Sequence, residues 1–359
     1  MSTKLKDIFY TDSFVKKLAQ AIKQVYPAFD EAEFNRLIYS DNWADKELKA
    51  KMRHVTEAMH GVLPNNYDET LAILLAVAPQ VDGFEGMIFP DYVECYGLAD
   101  WDNSLAALVE FTKYSSGEFA IRPFLLANPK RGMAAMTNWA KDENYHVRRF
   151  ASEGCRPRLP WAMALPVFKK DPTLILPILE TLKADEQDYV RRSVANNLND
   201  ISKDHPELIL DICERWQGHL AHTDWIIKHA CRTLLKAGNR RAMRLFGFVD
   251  PTDMMITDLK LTSPTVTIGN DLVFSFELQL PSEAKTRLEF GIYYKKARGN
   301  LSRKVFHIKE DTYSAGTYTF EKKHSFKERT TRKHHPGEHQ IAIIVNGQEK
   351  ATKSFEVVR

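Results

Sequence analysis

His146-Val147-Arg148-Arg149-Phe150-Ala151 and Tyr189-Val190-Arg191-Arg192-Ser193-Val194 are two versions of one segment, 43 residues apart. A fainter third version, Trp225-Ile226-Ile227-Lys228-His229-Ala230, begins 36 residues after Tyr189. Each version is followed by another stretch of helix length. Self-similarity at a period of about 40–47 residues predicts paired helices stacked as HEAT-type repeats, because one pair cannot bury its own apolar stripe and its neighbours must cover it. Upstream, Leu48, Met52, Val55 and Met59 recur at intervals of 4, 3 and 4, which lines one helical face, with Lys49, Lys51, Arg53 and Glu57 between them. Similar stripes occupy 105–111, 133–139, 174–182 and 208–212. Leu63-Pro64-Asn65-Asn66, Asn128-Pro129, Lys170-Asp171-Pro172 and His205-Pro206 punctuate them as turns.

After Phe248-Val249-Asp250-Pro251 the period changes from that of a helix to that of a strand. The runs 272–280 and 288–294 are strand candidates, the first alternating near its end. Asn346-Gly347, between 341–345 and 350–358, predicts a hairpin with a type I′ turn, since both residues accept positive φ. The chain therefore reads as an all-α HEAT-like repeat solenoid over 1–250, followed by a smaller all-β immunoglobulin-like sandwich over 251–359.

The composition agrees with two folded domains, with 359 residues, 44% hydrophobic and 27% charged. The longest apolar stretch, 71–78, stops at Pro79, far short of the roughly 20 residues a bilayer needs. The opening residues have no apolar core of a signal peptide. Four scattered cysteines without a CxxC pair suit a reducing compartment. A soluble, cytoplasmic protein without a membrane partner is the expectation. The net charge of +3 is uneven. From Pro251 onward there are 18 Lys and Arg against 13 Asp and Glu, whereas the preceding residues carry 32 against 34. The basic excess of the last third permits a polyanion partner.

The densest chemistry lies in 145–161. There a helix ending at Gly154 is followed by Arg156-Pro157-Arg158-Leu159-Pro160-Trp161. Two arginines stiffened by prolines lose little freedom on gripping an anion. Trp161 is placed at the start of the next helix, with an aromatic face near the carboxylate of Glu153. Upstream, 115–124 puts a second carboxylate, Glu118, at a helix start. Other readings of these residues stand beside this one. Ser115-x-x-Glu118 is also a capping box. Arg149 and Glu153 are spaced i,i+4 and can pair on a helix surface. Trp161 can be a packing residue between repeats, as can Trp139, Trp216 and Trp225. His334-His335 and the other histidines form no metal-ligand spacing, so no metal and no cofactor are expected.

The runs HVRRFASEGCRPRLPWA (146–162), FPDYVECYGL (89–98) and SSGEFAIRPFL (115–125) closely resemble the AlkC-type DNA alkylation-repair glycosylases. These are relatives of the AlkD enzymes built from HEAT-like repeats, and some members carry an immunoglobulin-like C-terminal domain. Cys155 departs from the Thr or other small residue expected there, at a position with no catalytic role. The resemblance implies base excision repair of alkylation damage, the enzyme being a monofunctional hydrolase of N-glycosyl bonds. Its substrates would be small cationic bases, 3-methyladenine and 3-methylcytosine, removed without swinging the base into a deep pocket. Glu153, Glu118 and Trp161 would be catalytic. Arg149, Arg156 and Arg158 would bind flanking phosphates, and Arg148, Arg191 and Arg192 would add DNA contacts. The basic run with Lys327, Arg329, Arg332 and Lys333 would reach the backbone from the β-domain. The partner would be double-stranded DNA carrying alkylated bases, bound by a monomer that needs no protein partner. A non-enzymatic HEAT-repeat scaffold and a passive binder of damaged DNA are the alternative functions.

Overall fold

The computed structural model describes residues 5–40, 42–328 and 332–359. Helices fill the chain from Asp12 to Leu245 and strands from Met255 to Val358. By packing, the chain divides into two compact units. One comprises Met1–Ile209 with Arg215–Ala230, and the other Leu210–Glu214 with Cys231–Arg359. The short helices Arg232–Lys236 and Arg240–Leu245 thus belong with the strands.

In the first unit the repeated segment forms equivalent helices. Tyr145–Gly154 starts at Asn144, whose side chain accepts from His146 N, and Asp188–Ile201 starts after Gln187. Val147, Val190 and Ile226, the matching apolar positions of the three versions, are all fully buried. Matching arginines make matching bonds. Arg148 Nη1 donates to the carbonyls of Asp142 and Glu143 at 3.0 and 2.9 Å, and Arg191 Nη1 to those of Asp185 and Glu186 at 2.8 and 2.7 Å. Arg148 also grips the Asp185 carboxylate with Nε and Nη2, at 2.6 and 3.2 Å, which ties one version to the turn of the next. Between the helices, Ser152 Oγ donates to Ser193 Oγ at 2.6 Å and Asn197 Nδ2 to the Ser152 carbonyl at 2.8 Å. These bonds satisfy polar groups that would otherwise be stranded in the interior.

Gly154 allows the close approach at the end of the first of these helices. A Cβ there would meet Ile121 Cγ2 at 2.8 Å and Met136 Cε at 2.9 Å. The expected helix start at Trp161 is not found. The next helix is Pro166–Lys170, and Trp161 lies in the intervening loop with φ +65°. Pro157 and Pro160 break the helical ladder, and the loop returns through Leu165 N, which donates to the Pro157 carbonyl at 3.2 Å.

The second unit is a two-sheet sandwich. Its strands are β1 (Met255–Leu261), β2 (Thr265–Thr267), β3 (Asp271–Leu280), β4 (Ala284–Lys295), β5 (Leu301–Tyr313), β6 (Gly316–Ser325), β7 (Gly337–Val345) and β8 (Gln348–Val358). One sheet has the order β1-β3-β6 and the other β2-β8-β7-β4-β5. Among the described residues, only β2 pairs in parallel, with β8. Phe274 and Phe276 of the first sheet pack on Phe290, Ile292, Ile341 and Phe355 of the second. The β7–β8 turn has Asn346 at φ 45° and Gly347 at φ 81°, the two positive values a type I′ turn requires.

Candidate active site

Glu118 lies four residues before the helix Arg122–Ala127, in a turn. The capping-box reading fails there. Ser115 Oγ donates instead to the Gly83 carbonyl at 2.7 Å, and the Glu118 carboxylate is taken by Ser116 Oγ and Arg149. Arg149 Nη1 lies 3.1 Å from Glu118 Oε2 and donates to Ser116 Oγ at 2.7 Å, while Nη2 lies 3.6 Å from Glu153 Oε1. The Arg149–Glu153 pair is therefore no solvated surface pair, with side chains only 13% and 8% exposed. One guanidinium joins the two carboxylates singled out in the sequence, and its plane lies over the Tyr189 ring, 4.7 Å from the centroid.

A second buried guanidinium backs this group. Arg156 Nη1 donates to Glu153 Oε1 at 2.6 Å and Nε to Asp200 Oδ2 at 2.9 Å, and Lys203 Nζ lies 3.2 Å from the other Asp200 oxygen. Burial alone would lower both arginines. Glu118 and Glu153 beside Arg149, and Glu153 and Asp200 beside Arg156, reverse this and hold each above the usual arginine value. Both cations are thus fixed partners of the carboxylates.

An open cleft is lined by Phe84, Met87, Ser116, Glu118, Phe119, His146, Trp161 and Tyr189, among others. Trp161 is 60% exposed, so its indole is available and is not a packing residue between repeats. Glu118 reaches the cleft wall, while Glu153 sits behind, joined to it through Arg149. The cleft pairs an indole and a phenol with a carboxylate. Such a wall favours a flat group carrying positive charge.

The remaining arginines have separate fates. Arg148 and Arg191 hold turn carbonyls, as described above. Arg158 Nη2 meets Asp204 at 2.7 Å and Arg192 Nε meets Asp188 at 2.6 Å, both side chains with substantial exposure. Arg156 is turned inward, its donors occupied by Glu153 and Asp200, so the geometry gives it a different task from the expected phosphate contact. In the strand unit, Lys327 and Lys333 are exposed. Arg332 Nη1 donates to Tyr294 Oη at 3.0 Å, and a basic pocket gathers Lys295, Lys296, Arg303, Lys304, Arg332 and Lys333. Arg329 lies outside the described residues. No group of three or more His, Cys, Asp or Glu among the described residues is arranged to hold a metal ion.

Sequence reasoning missed Tyr189, His146, Ser116 and Phe119 as cleft residues. A signal existed for one pair, since Tyr189 is the repeat counterpart of His146 and both face the same cleft.

Residues 115–234 match the family model of DNA alkylation repair enzymes. Residues 255–359 match that of the YhaZ C-terminal Ig-like domain. The uncharacterized protein YhaZ of Bacillus subtilis (strain 168) is 45% identical over 98% of this chain and 99% of its own. The solved structure of Pseudomonas fluorescens alkylpurine DNA glycosylase AlkC, bound to DNA containing an abasic site analog, is 40% identical. It superposes with a TM-score of 0.95 over 99% of this chain and all of that one. With relatives this similar over nearly its whole length, the chain belongs to the AlkC family of DNA alkylation-repair glycosylases, with an Ig-like C-terminal domain.

Proposed function

We propose that this protein is a monofunctional glycosylase that removes small cationic alkylated bases, 3-methyladenine and 3-methylcytosine, from double-stranded DNA. The observation that carries this reading is the junction of Glu118 and Glu153 through Arg149, beside the exposed indole of Trp161. Alkylation leaves the base positively charged. When the N-glycosyl bond breaks, its electron pair departs with the base, which becomes neutral and needs no strong general acid. The positive charge passes to the deoxyribose ring as an oxocarbenium-like centre. Water then adds at that carbon and gives up a proton, leaving an abasic site.

Glu118 and Glu153 divide two tasks, stabilising the charge on the sugar and orienting the attacking water. Trp161 lies against the sugar or base face, where cation–π attraction contributes ~1–2 kcal/mol if water is excluded. The open cleft suits a base that stays near the helix stack and is not drawn into a deep pocket. The helical versions act as HEAT-like repeats that carry these groups on one wall. Arg149 fixes both carboxylates, and Arg156 fixes Glu153. Arg158, Arg192, Lys327, Arg332 and Lys333 meet the phosphates, and the enzyme works as a monomer.

The test is release of free base from methylated duplex DNA, comparing the wild type with Glu118→Gln. Wild-type release of 3-methyladenine or 3-methylcytosine, with a loss of tenfold or more in the variant at unchanged DNA affinity, is the expected result. Tight binding of damaged duplex with no base released by the wild type would make the protein a passive binder and overturn the proposal.

A further inference from the structure

Trp161 combines two features that a free loop does not sustain. Its backbone is in the left-handed region at φ +65°, unfavourable for a bulky side chain, and its indole is 60% exposed. Two cations from distant parts of the chain hold the backbone around it. Lys49 Nζ, on the helix Leu48–His60, donates to the Trp161 carbonyl at 2.7 Å. Arg122 Nε donates to the Met163 carbonyl at 2.6 Å, and its Nη1 to the carbonyls of Gly154 and Arg156, both at 3.0 Å. Arg122 is fully buried, and Nη2 has no partner among the described residues.

Burying a guanidinium against neutral carbonyls is unfavourable for stability, since no carboxylate touches it and the nearby charges of Asp200 and Glu153 only partly offset its lost hydration. What the arrangement supplies is geometry. Gly154 ends the helix that carries Glu153, Arg156 holds the Glu153 carboxylate, and Met163 lies two residues beyond Trp161. One planar group therefore sets the spacing between the carboxylate and the indole. Lys49 closes the other side of the loop and places its ammonium 4.8 Å from the ring centre of Phe119, a cleft residue.

We propose that Lys49 and Arg122 are positioning residues for base excision, fixing the 154–163 backbone so that the Trp161 indole stands in the cleft before DNA arrives. The proposal rests on the glycosylase reading above and adds to it. A group held in place beforehand loses no ordering entropy at the transition state, so the benefit falls on the chemical step and not on duplex affinity.

Lys49 is exposed, so Lys49→Met leaves folding intact. Single-turnover excision by this variant should fall about tenfold, the loss of one charge-assisted hydrogen bond. Affinity for duplex with an abasic-site analog, and its salt dependence, should stay at the wild-type value. Lys49→Arg should restore the rate to within about threefold. On a Trp161→Ala background, Lys49→Met should have no further effect, because it acts only through the indole. Arg122→Lys, which keeps charge but cannot reach three carbonyls, should show the same rate loss at unchanged affinity.

Wild-type excision by Lys49→Met would overturn the proposal. So would a rate loss that persists without the indole, or one accompanied by a salt slope lower by ~0.9, which would make Lys49 a phosphate contact. If the wild type itself releases no base, the glycosylase reading fails. An active wild type with an equally active Lys49→Met enzyme defeats the positioning role alone.

Discussion

Glu153→Gln removes one negative charge from the site while keeping the shape of the side chain. In the resting protein Glu153 Oε1 sits 2.6 Å from Arg156 and 3.6 Å from Arg149. Each of those guanidinia keeps another carboxylate, Asp200 at 2.9 Å and Glu118 at 3.1 Å. No buried cation is orphaned, so the loss of stability should stay near 1–3 kcal/mol, short of unfolding a domain of this size. The chemical step should suffer more. At a separation of about 6 Å and an effective dielectric constant of about 20, one unit charge would stabilise a developing positive sugar by roughly 3 kcal/mol, a factor of about 100 in rate. The assay is single-turnover release of 3-methyladenine with enzyme in excess, run with affinity for an abasic-analog duplex and a thermal melt. The rate should fall about 100-fold, with affinity changed less than about threefold and the variant still folded. Excision at the wild-type rate by a folded Glu153→Gln protein would refute this expectation.

Two further perturbations separate roles that look alike in the sequence. Arg158→Met should weaken DNA binding and reduce the log–log salt slope by ~0.9, because this partly exposed side chain can exchange Asp204 for a phosphate. Arg156→Met should leave the slope unchanged and lower the melting temperature, breaking a buried pair at about 3–5 kcal/mol; an equal slope change in both variants would contradict the assignment. The strand unit should be acid-sensitive. Burial, with Arg332 and His334 nearby, lowers His324 from 6.5 to about 4, and burial lowers His334 and His339 in the same direction. Between pH 6.5 and 4 the unfolded chain therefore binds the proton that folded His324 refuses. Stability from this group is complete above pH 6.5 and is lost as the pH falls towards 4, by ~2–3 kcal/mol in all. Unfolding followed from pH 7 to 4 should show that loss, and His324→Phe should reduce it; an unchanged pH dependence in the variant would exclude His324 as its source.

Much of the architecture was legible because it rests on local periodicity. The 43-residue offset between Val147 and Val190 reappears as matching buried positions and matching arginine clasps, and Asn346-Gly347 takes the two positive φ values its turn needs. In the candidate site, closeness along the chain foretold that Glu153 and Arg156 meet, which they do at 2.6 Å, but not that Arg156 turns inward. What stayed hidden depends on partners far away in sequence. Arg148, Arg156 and Arg158 look equivalent until Asp185, Asp200 and Asp204 arrive from 37, 44 and 46 residues away. No spacing rule says which arginine will be spent inside the protein. The left-handed backbone of Trp161 was hidden for the same reason, since it depends on Lys49, 112 residues away.

The clasp formed by Arg148 carries a mechanical consequence. Because it holds its own turn and the Asp185 carboxylate together, and Arg191 then holds the carbonyl of that same Asp185, neighbouring turns are fastened in series. Strain applied to one is passed to the next through hydrogen bonds and is not absorbed at a slack hinge. A wall fastened this way resists flexing.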